Sequence, residues 1–164
     1  MARGNGDSKP SKKPAAAKRK PEATAKAKAK AKKPSAANQP ATLYVCRSCV
    51  WTEAEREKDG KRQGEFLLAA IKQEILTTPL PNNTGMRAVH CLNGCKSPCN
   101  VAFRAAGKHG LRFSRLTPDN AEEVLAFLSA YNESEMGDVA EAEVPEGMRG
   151  KQTVRTPPPP IRSK

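Results

Sequence analysis

The sequence predicts a small α/β domain of order β-α-β-β-β-α, set between two tails. Three observations carry this reading. Short runs of β-branched and aromatic residues alternate with apolar stripes of helical spacing. Gly, Pro and Asn clusters punctuate the boundaries between them. The excess of positive charge is confined to one end of the chain, which leaves a nearly neutral middle free to pack.

Composition sets the limits. Of 164 residues, 37% are hydrophobic, 4% are aromatic and 14 are proline, so folding along the whole length is not expected. The formal net charge is +12, and residues 1–40 hold twelve of the 29 basic residues but only two of the 17 acidic ones. That leaves 17 basic and 15 acidic residues for 41–164. Residues 1–40 are mostly Lys, Ala, Pro, Ser and Asn, and no large apolar residue lies between Ala2 and Pro40. Nothing there offsets the entropy of ordering the backbone, so the segment reads as a disordered basic arm. Such an arm suits phosphate backbones or an acidic surface, held without sequence choice. It equally suits a solubilising extension with no specific partner, and its preference for Lys over Arg disfavours a transit peptide.

The longest clean apolar run is Phe66 to Ile71, far short of the ~18 residues of a spanning helix, so no membrane role is expected. No secretory pattern opens the chain, which points to the cytoplasm and to reduced cysteines.

Each element follows from local chemistry. Thr42-Leu43-Tyr44-Val45, directly after Pro40, reads as the first strand. A polar loop runs to Gly60, and from Gly64 Leu67, Leu68, Ile71 and Ile75 form one helical stripe that stops before Pro79-Leu80-Pro81. Met86 to His90 is the second strand, followed by a cysteine loop. Val101-Ala102-Phe103 and Leu111-Arg112-Phe113 read as a hairpin around Gly107-Lys108-His109-Gly110. Thr117-Pro118 opens the second helix, with Ala121, Val124, Leu125, Leu128 and Tyr131 on its buried face. A right-handed crossover makes the first two strands parallel, and the hairpin extends the sheet antiparallel. That is a thioredoxin-like pattern, spanning residues 41–134. Residues 135–164 read as an extended tail whose Pro157 to Pro160 run favours a polyproline II rod, as a strap, a plain tail or an SH3-type ligand.

The cysteines carry the chemistry. All five fall in two clusters, Cys46-x₂-Cys49 and Cys91-x₃-Cys95-x₃-Cys99, each following a strand. Both clusters are therefore expected at the C-terminal ends of the first two strands, the edge where open α/β sheets place ligands. Thiolates gathered from two loops suit an iron–sulfur cluster or zinc. Cys46-Cys49 also fits a redox dithiol with Cys46 as nucleophile, although thiol–disulfide exchange leaves three cysteines unexplained. A third reading makes the cysteines small core residues. His90 points away from Cys91 along a strand and reads as a packed or surface residue rather than a ligand. His109 is expected exposed on its turn, and Trp51 as either a docking residue or a cap on the core. No G-x-S-x-G, phosphate-binding glycine loop or His-rich zinc-protease motif occurs, so an electron carrier or binding protein is expected rather than a hydrolase or transferase.

The segment Cys91-Leu-Asn-Gly-Cys95-Lys-Ser-Pro-Cys99-Asn-Val resembles the second half of the thioredoxin-like 2Fe–2S ferredoxins. From Thr42 to about Tyr131 the chain is similar to a bacterial domain-of-unknown-function family described as predicted metal-binding proteins. The likeness rests on V-C-x-x-C, C-x-x-G-C-K-x-P-C, Gly107-Lys108 and Ala126 to Tyr131. It implies a ferredoxin-like fold with a 2Fe–2S cluster, and position in the chain assigns Cys46 and Cys49 to one iron and Cys91 and Cys95 to the other. Cys99 is then an alternative ligand in place of Cys49, or a thiol beside the cluster. The implied role is electron carrier or redox sensor, working with a redox protein partner not identified by the sequence. The alternative is a structural-zinc module tethered to nucleic acid by the basic arm.

Overall fold

The chain divides into two units, Met1–Lys32 and Lys33–Lys164. The computed structural model describes residues 39–159, all within the second. The predicted basic arm lies outside the described residues except for its last two, as does the last proline of the Pro157–Pro160 run.

The first strand, β1 (Ala41–Cys46), alternates buried Ala41, Leu43 and Val45 with half-buried Thr42 and Tyr44. The helix α1 (Gln63–Thr77) starts where the Glu65 carboxylate accepts the Arg62 N–H at 2.9 Å, and it ends just before Pro79. Leu67 and Ile71 of its predicted stripe are fully buried, while Leu68 and Ile75 pack at the margin. Gly64 sits against the backbone of Cys46 and Arg47, and a Cβ there would strike the Cys46 carbonyl. Its N–H donates to the Cys49 carbonyl at 3.1 Å, which seats the first turn of α1 on the C-x₂-C loop.

The strand β2 (Thr84–Val89) pairs parallel with β1, as the crossover requires. The pair β3 (Val101–Arg104) and β4 (Gly110–Phe113) form the expected hairpin, with β3 antiparallel to β1. Their loop is held from an unpredicted direction. Lys108 is fully buried, and its ammonium donates to the Tyr131 and Asn132 carbonyls at 3.2 and 2.6 Å. It therefore caps the last turn of α2 (Ala121–Glu133), where carbonyls lack helical partners and the helix dipole favours a cation. Burial pulls its pKa below the usual lysine value. The start of α2 differs from the sequence expectation: a single 3-10 turn, Pro118–Asn120, leads into the helix. Asn120 Oδ1 accepts the Thr117 N–H at 3.0 Å and closes that turn.

The main correction concerns the C-terminal segment. The sequence reading ends the domain at 134, but the chain continues through two 3-10 turns into β5 (Gln152–Thr156), antiparallel to β4. Alternation fails to announce this strand because it is an edge strand with only Val154 partly covered. Among the described residues the sheet order is β2-β1-β3-β4-β5. The directions and order of β1 to β4, with the connecting helices, are those of the thioredoxin-like fold.

Both helices share one core with one face of the sheet. Phe127 of α2, which the stripe analysis did not single out, packs its ring 4.8 Å from Phe103 and 4.7 Å from Phe113. Four aromatic rings (Phe103, Phe113, Phe127 and Tyr131) thus meet in one place, which makes a small aromatic content sufficient. Among the described residues no helix is long and apolar enough to cross a membrane.

Candidate metal centre

The sheet brings all five cysteines to the end of β1, and all five are free thiols. Cys46 is the last residue of β1 and is buried; Cys49 and Cys99 are buried beside it, while Cys91 and Cys95 are exposed. The Cys46 thiol points towards the second loop, donating to the His90 carbonyl at 3.6 Å. The Ser48 N–H reaches the same carbonyl at 3.2 Å, so the two cysteine loops are tied together through backbone.

The sulfurs form two close groups. Cys91 Sγ lies 3.8 Å from Cys95 Sγ. Two sulfurs at about 2.3 Å from one tetrahedral metal are separated by about 3.8 Å, so this pair already has the spacing of two thiolates on one ion. In the other group Cys46, Cys49 and Cys99 are buried in the same core cluster, with Cys49 Sγ 3.5 Å from the Asn100 amide. Among the described residues no group of three or more His, Cys, Asp and Glu is arranged to hold one metal ion. The donor set is five free thiols, soft ligands of the kind that suit zinc or iron–sulfur centres.

Three of the thiols are raised above the usual thiol range. Cys46 is pushed well above the usual thiol range, first by the Cys49 thiol and then by burial. For Cys49 the neighbouring Cys46 thiol pulls downward, but Cys99 and burial outweigh it, and the net direction is up. Cys95 is raised by its neighbour Cys91.

Residues that the sequence reading did not select hold the centre in place. Asn100 is fully buried; its Nδ2 donates to the Gly94 carbonyl at 2.9 Å and the Ser97 carbonyl at 3.3 Å, and lies 3.5 Å from Cys49 Sγ. Its Oδ1 accepts the Ser114 hydroxyl at 2.7 Å, and Ser114 meets Thr153 of β5 at 2.8 Å. One amide thus spans both cysteine loops. Gly94 is required opposite it, because a Cβ there would strike the Asn100 amide. From β4, the Arg112 guanidinium donates to the Leu92 and Asn93 carbonyls at 2.9 and 3.0 Å and latches the Cys91–Cys95 loop to the sheet. Asn93 has a left-handed backbone, φ 56°, which turns its N–H onto Cys91 Sγ at 3.2 Å. The signal for Asn100 was present in the sequence as a polar residue opening an apolar strand beside a cysteine.

The remaining candidates are placed elsewhere. His90 contributes its backbone and has an exposed side chain. His109 is half-buried rather than exposed, with its ring 3.3 Å from the Thr156 carbonyl. Trp51 packs edge-on against Phe66 of α1 at 5.3 Å, with the Lys58 ammonium 4.5 Å over its ring, and so caps the helix.

Fold and site together define a thioredoxin-like α/β domain with a five-thiol centre at the C-terminal end of its first strand. The chain belongs to the family described as "Protein of unknown function (DUF1636)", which matches residues 43–158. Among solved structures, a thioredoxin-like [2Fe-2S] ferredoxin from Aquifex aeolicus is similar at 16% identity, covering 52% of this chain and 74% of that chain, with a TM-score of 0.35. No curated protein matches the chain.

Proposed function

We propose that this protein holds a [2Fe–2S] cluster between its two cysteine loops and serves as a one-electron carrier or redox sensor in the cytoplasm. The observation that carries the reading is the gathering of five free thiols from two adjacent loops at one sheet edge, with Cys91 and Cys95 3.8 Å apart. When bound, the cluster supplies one-electron exchange at a potential set by its surroundings.

The chain's own residues do the rest. Cys46 and Cys49 hold the buried side, and Cys91 and Cys95 hold the exposed side, through which a partner gains access. The Asn93 N–H on Cys91 and the Asn100 amide beside Cys49 spread thiolate charge. That stabilises the reduced state, the one with more negative charge. Cys99 stands against Cys49 and is assigned no iron. The basic arm would supply weak, salt-sensitive attachment to nucleic acid or an acidic surface.

The test is visible absorption and electron paramagnetic resonance on anaerobically purified full-length protein. A brown protein that gives a paramagnetic signal on reduction is expected. Cys46→Ala, Cys91→Ala and Cys95→Ala should each lose most of the chromophore, while Cys99→Ala keeps it. Colourless protein carrying about one zinc and no acid-labile sulfide overturns the proposal in favour of a structural-zinc module.

A further inference from the structure

The core and both helices occupy one face of the sheet, the face of Leu43, Val45, Phe103, Leu111 and Phe113. Strand alternation sends the intervening side chains to the other face. Register places Arg87, Tyr44, Ala102 and Arg112 in one row across β2, β1, β3 and β4, with Thr42 beside Arg104 in the next. Arg112 of this row holds the Leu92 and Asn93 carbonyls, so the Cys91–Cys95 loop borders this face.

The charge on it is of one sign. Arg87 and Arg104 are exposed, and neither forms an ion pair among the described residues. No Asp or Glu occurs in any of the described strands or in the loop 90–100. The acid nearest in the fold to β5, Asp138, is paired at 2.6 Å with Arg155, which is registered with Leu111 and so belongs to the helical side. At the foot of the cysteine loop, Leu92, Ala102, Arg104, Arg112 and Val154 help line a shallow cavity of about 220 Å³. An apolar depression bordered by Arg104 and Arg112, on a face that also carries Arg87, has the anatomy of a protein interface, with a small core and a charged rim.

We infer that this open face is the docking surface for a partner protein with an acidic surface, seated so that Cys91 and Cys95 lie at the contact. The inference rests on the cluster reading for its purpose. A single-stranded nucleic acid suits the face less well, because sheet platforms for bases offer several aromatics and this one carries Tyr44 alone, half-buried. Rim cations act by steering: they raise the association rate and make it fall with salt.

The experiment uses the full-length chain, isotopically labelled, titrated with a flavodoxin as an acidic one-electron protein and followed by amide chemical shifts. Shifts should concentrate on Tyr44, Arg87, Ala102, Arg104 and the 91–95 loop. In R87E/R104E the affinity at low salt should fall by about tenfold or more, whereas K72E, an exposed charge on α1 on the helical side of the sheet, should bind like the parent. R87Q/R104Q, expected to lose less, guards against a folding artefact. Shifts confined to residues 1–40, none on this face at millimolar probe, or R87E/R104E binding within about twofold of the parent overturns the inference. So does a single-stranded oligonucleotide that occupies the face more tightly than the flavodoxin. If iron and sulfide prove absent while the same face is mapped, the cluster proposal fails and the docking surface stands. If the cluster is present and the face is silent, the reverse holds.

Discussion

Replacing Asn100 with alanine probes the device that joins the two cysteine loops. The side chain is fully buried, and its removal deletes the bonds to the Gly94 and Ser97 carbonyls and the one accepted from Ser114. Ser114 keeps Thr153 at 2.8 Å, so its hydroxyl is not stranded. Each loop carbonyl also keeps a backbone donor, the Ser97 N–H on Gly94 at 3.0 Å and the Arg115 N–H on Ser97 at 3.2 Å, so neither is stranded. Ordinary hydrogen bonds contribute about 1 kcal/mol each net, and three are lost with no partner left stranded. Asn100→Ala should therefore destabilise the domain by about 3 kcal/mol, with a small cavity adding to it. Asn100→Asp keeps the shape but replaces the donor with a carboxylate facing two carbonyls, and should be at least as damaging. Urea unfolding of parent and variants in the metal-free state reads the stability directly. Hydrogen exchange should show the 91–97 amides exchanging faster in Asn100→Ala than the amides of β1. A loss under about 1 kcal/mol, with the loop still protected, would refute the role assigned to this amide.

Other expectations follow from the same coordinates. Lys108→Met should cost about 2–4 kcal/mol in thermal or urea unfolding, because it strips a charged donor from two buried carbonyls at the end of α2. A chain ending at Gly150 loses β5, bares the β4 edge, and should be less stable and prone to aggregate, as light scattering would report. Burial pushes the Tyr131 hydroxyl up to about 12, so in a Tyr44→Phe background phenolate absorbance should appear near there rather than at 10. The sign is fixed: the contribution is intact below pH 10, where the phenol is protonated in both states. It is lost as pH rises from 10 through about 12, because the unfolded chain ionises first.

Much of the fold was legible because its signals are local. The β-branched run at Thr42–Val45, the stripe through Leu67 and Ile71 and the prolines after Thr78 each fix an element without help from elsewhere. The parallel pairing of β1 and β2 follows from chain handedness. The thiol centre was legible for the same reason, since two clustered cysteine motifs follow two adjacent strands. What escaped depends on partners distant in sequence. Gln152–Thr156 is a strand because β4 offers it an edge, and its own pattern is mostly exposed. Lys108 reads as a solvated turn residue until α2 supplies carbonyls for it to cap. Asn100 and Arg112 gain their roles only when the loop of Cys91–Cys95 folds back over β3 and β4.

The central claim is that paired thiols from two loops hold a two-iron cluster, and iron with acid-labile sulfide per chain tests it most directly. Anaerobically purified or reconstituted full-length protein should contain iron and sulfide in equal amounts, about two of each per chain. The Cys91→Ala/Cys95→Ala variant should contain neither. Iron without sulfide, zinc in place of both, or undiminished iron and sulfide in that variant would contradict the account.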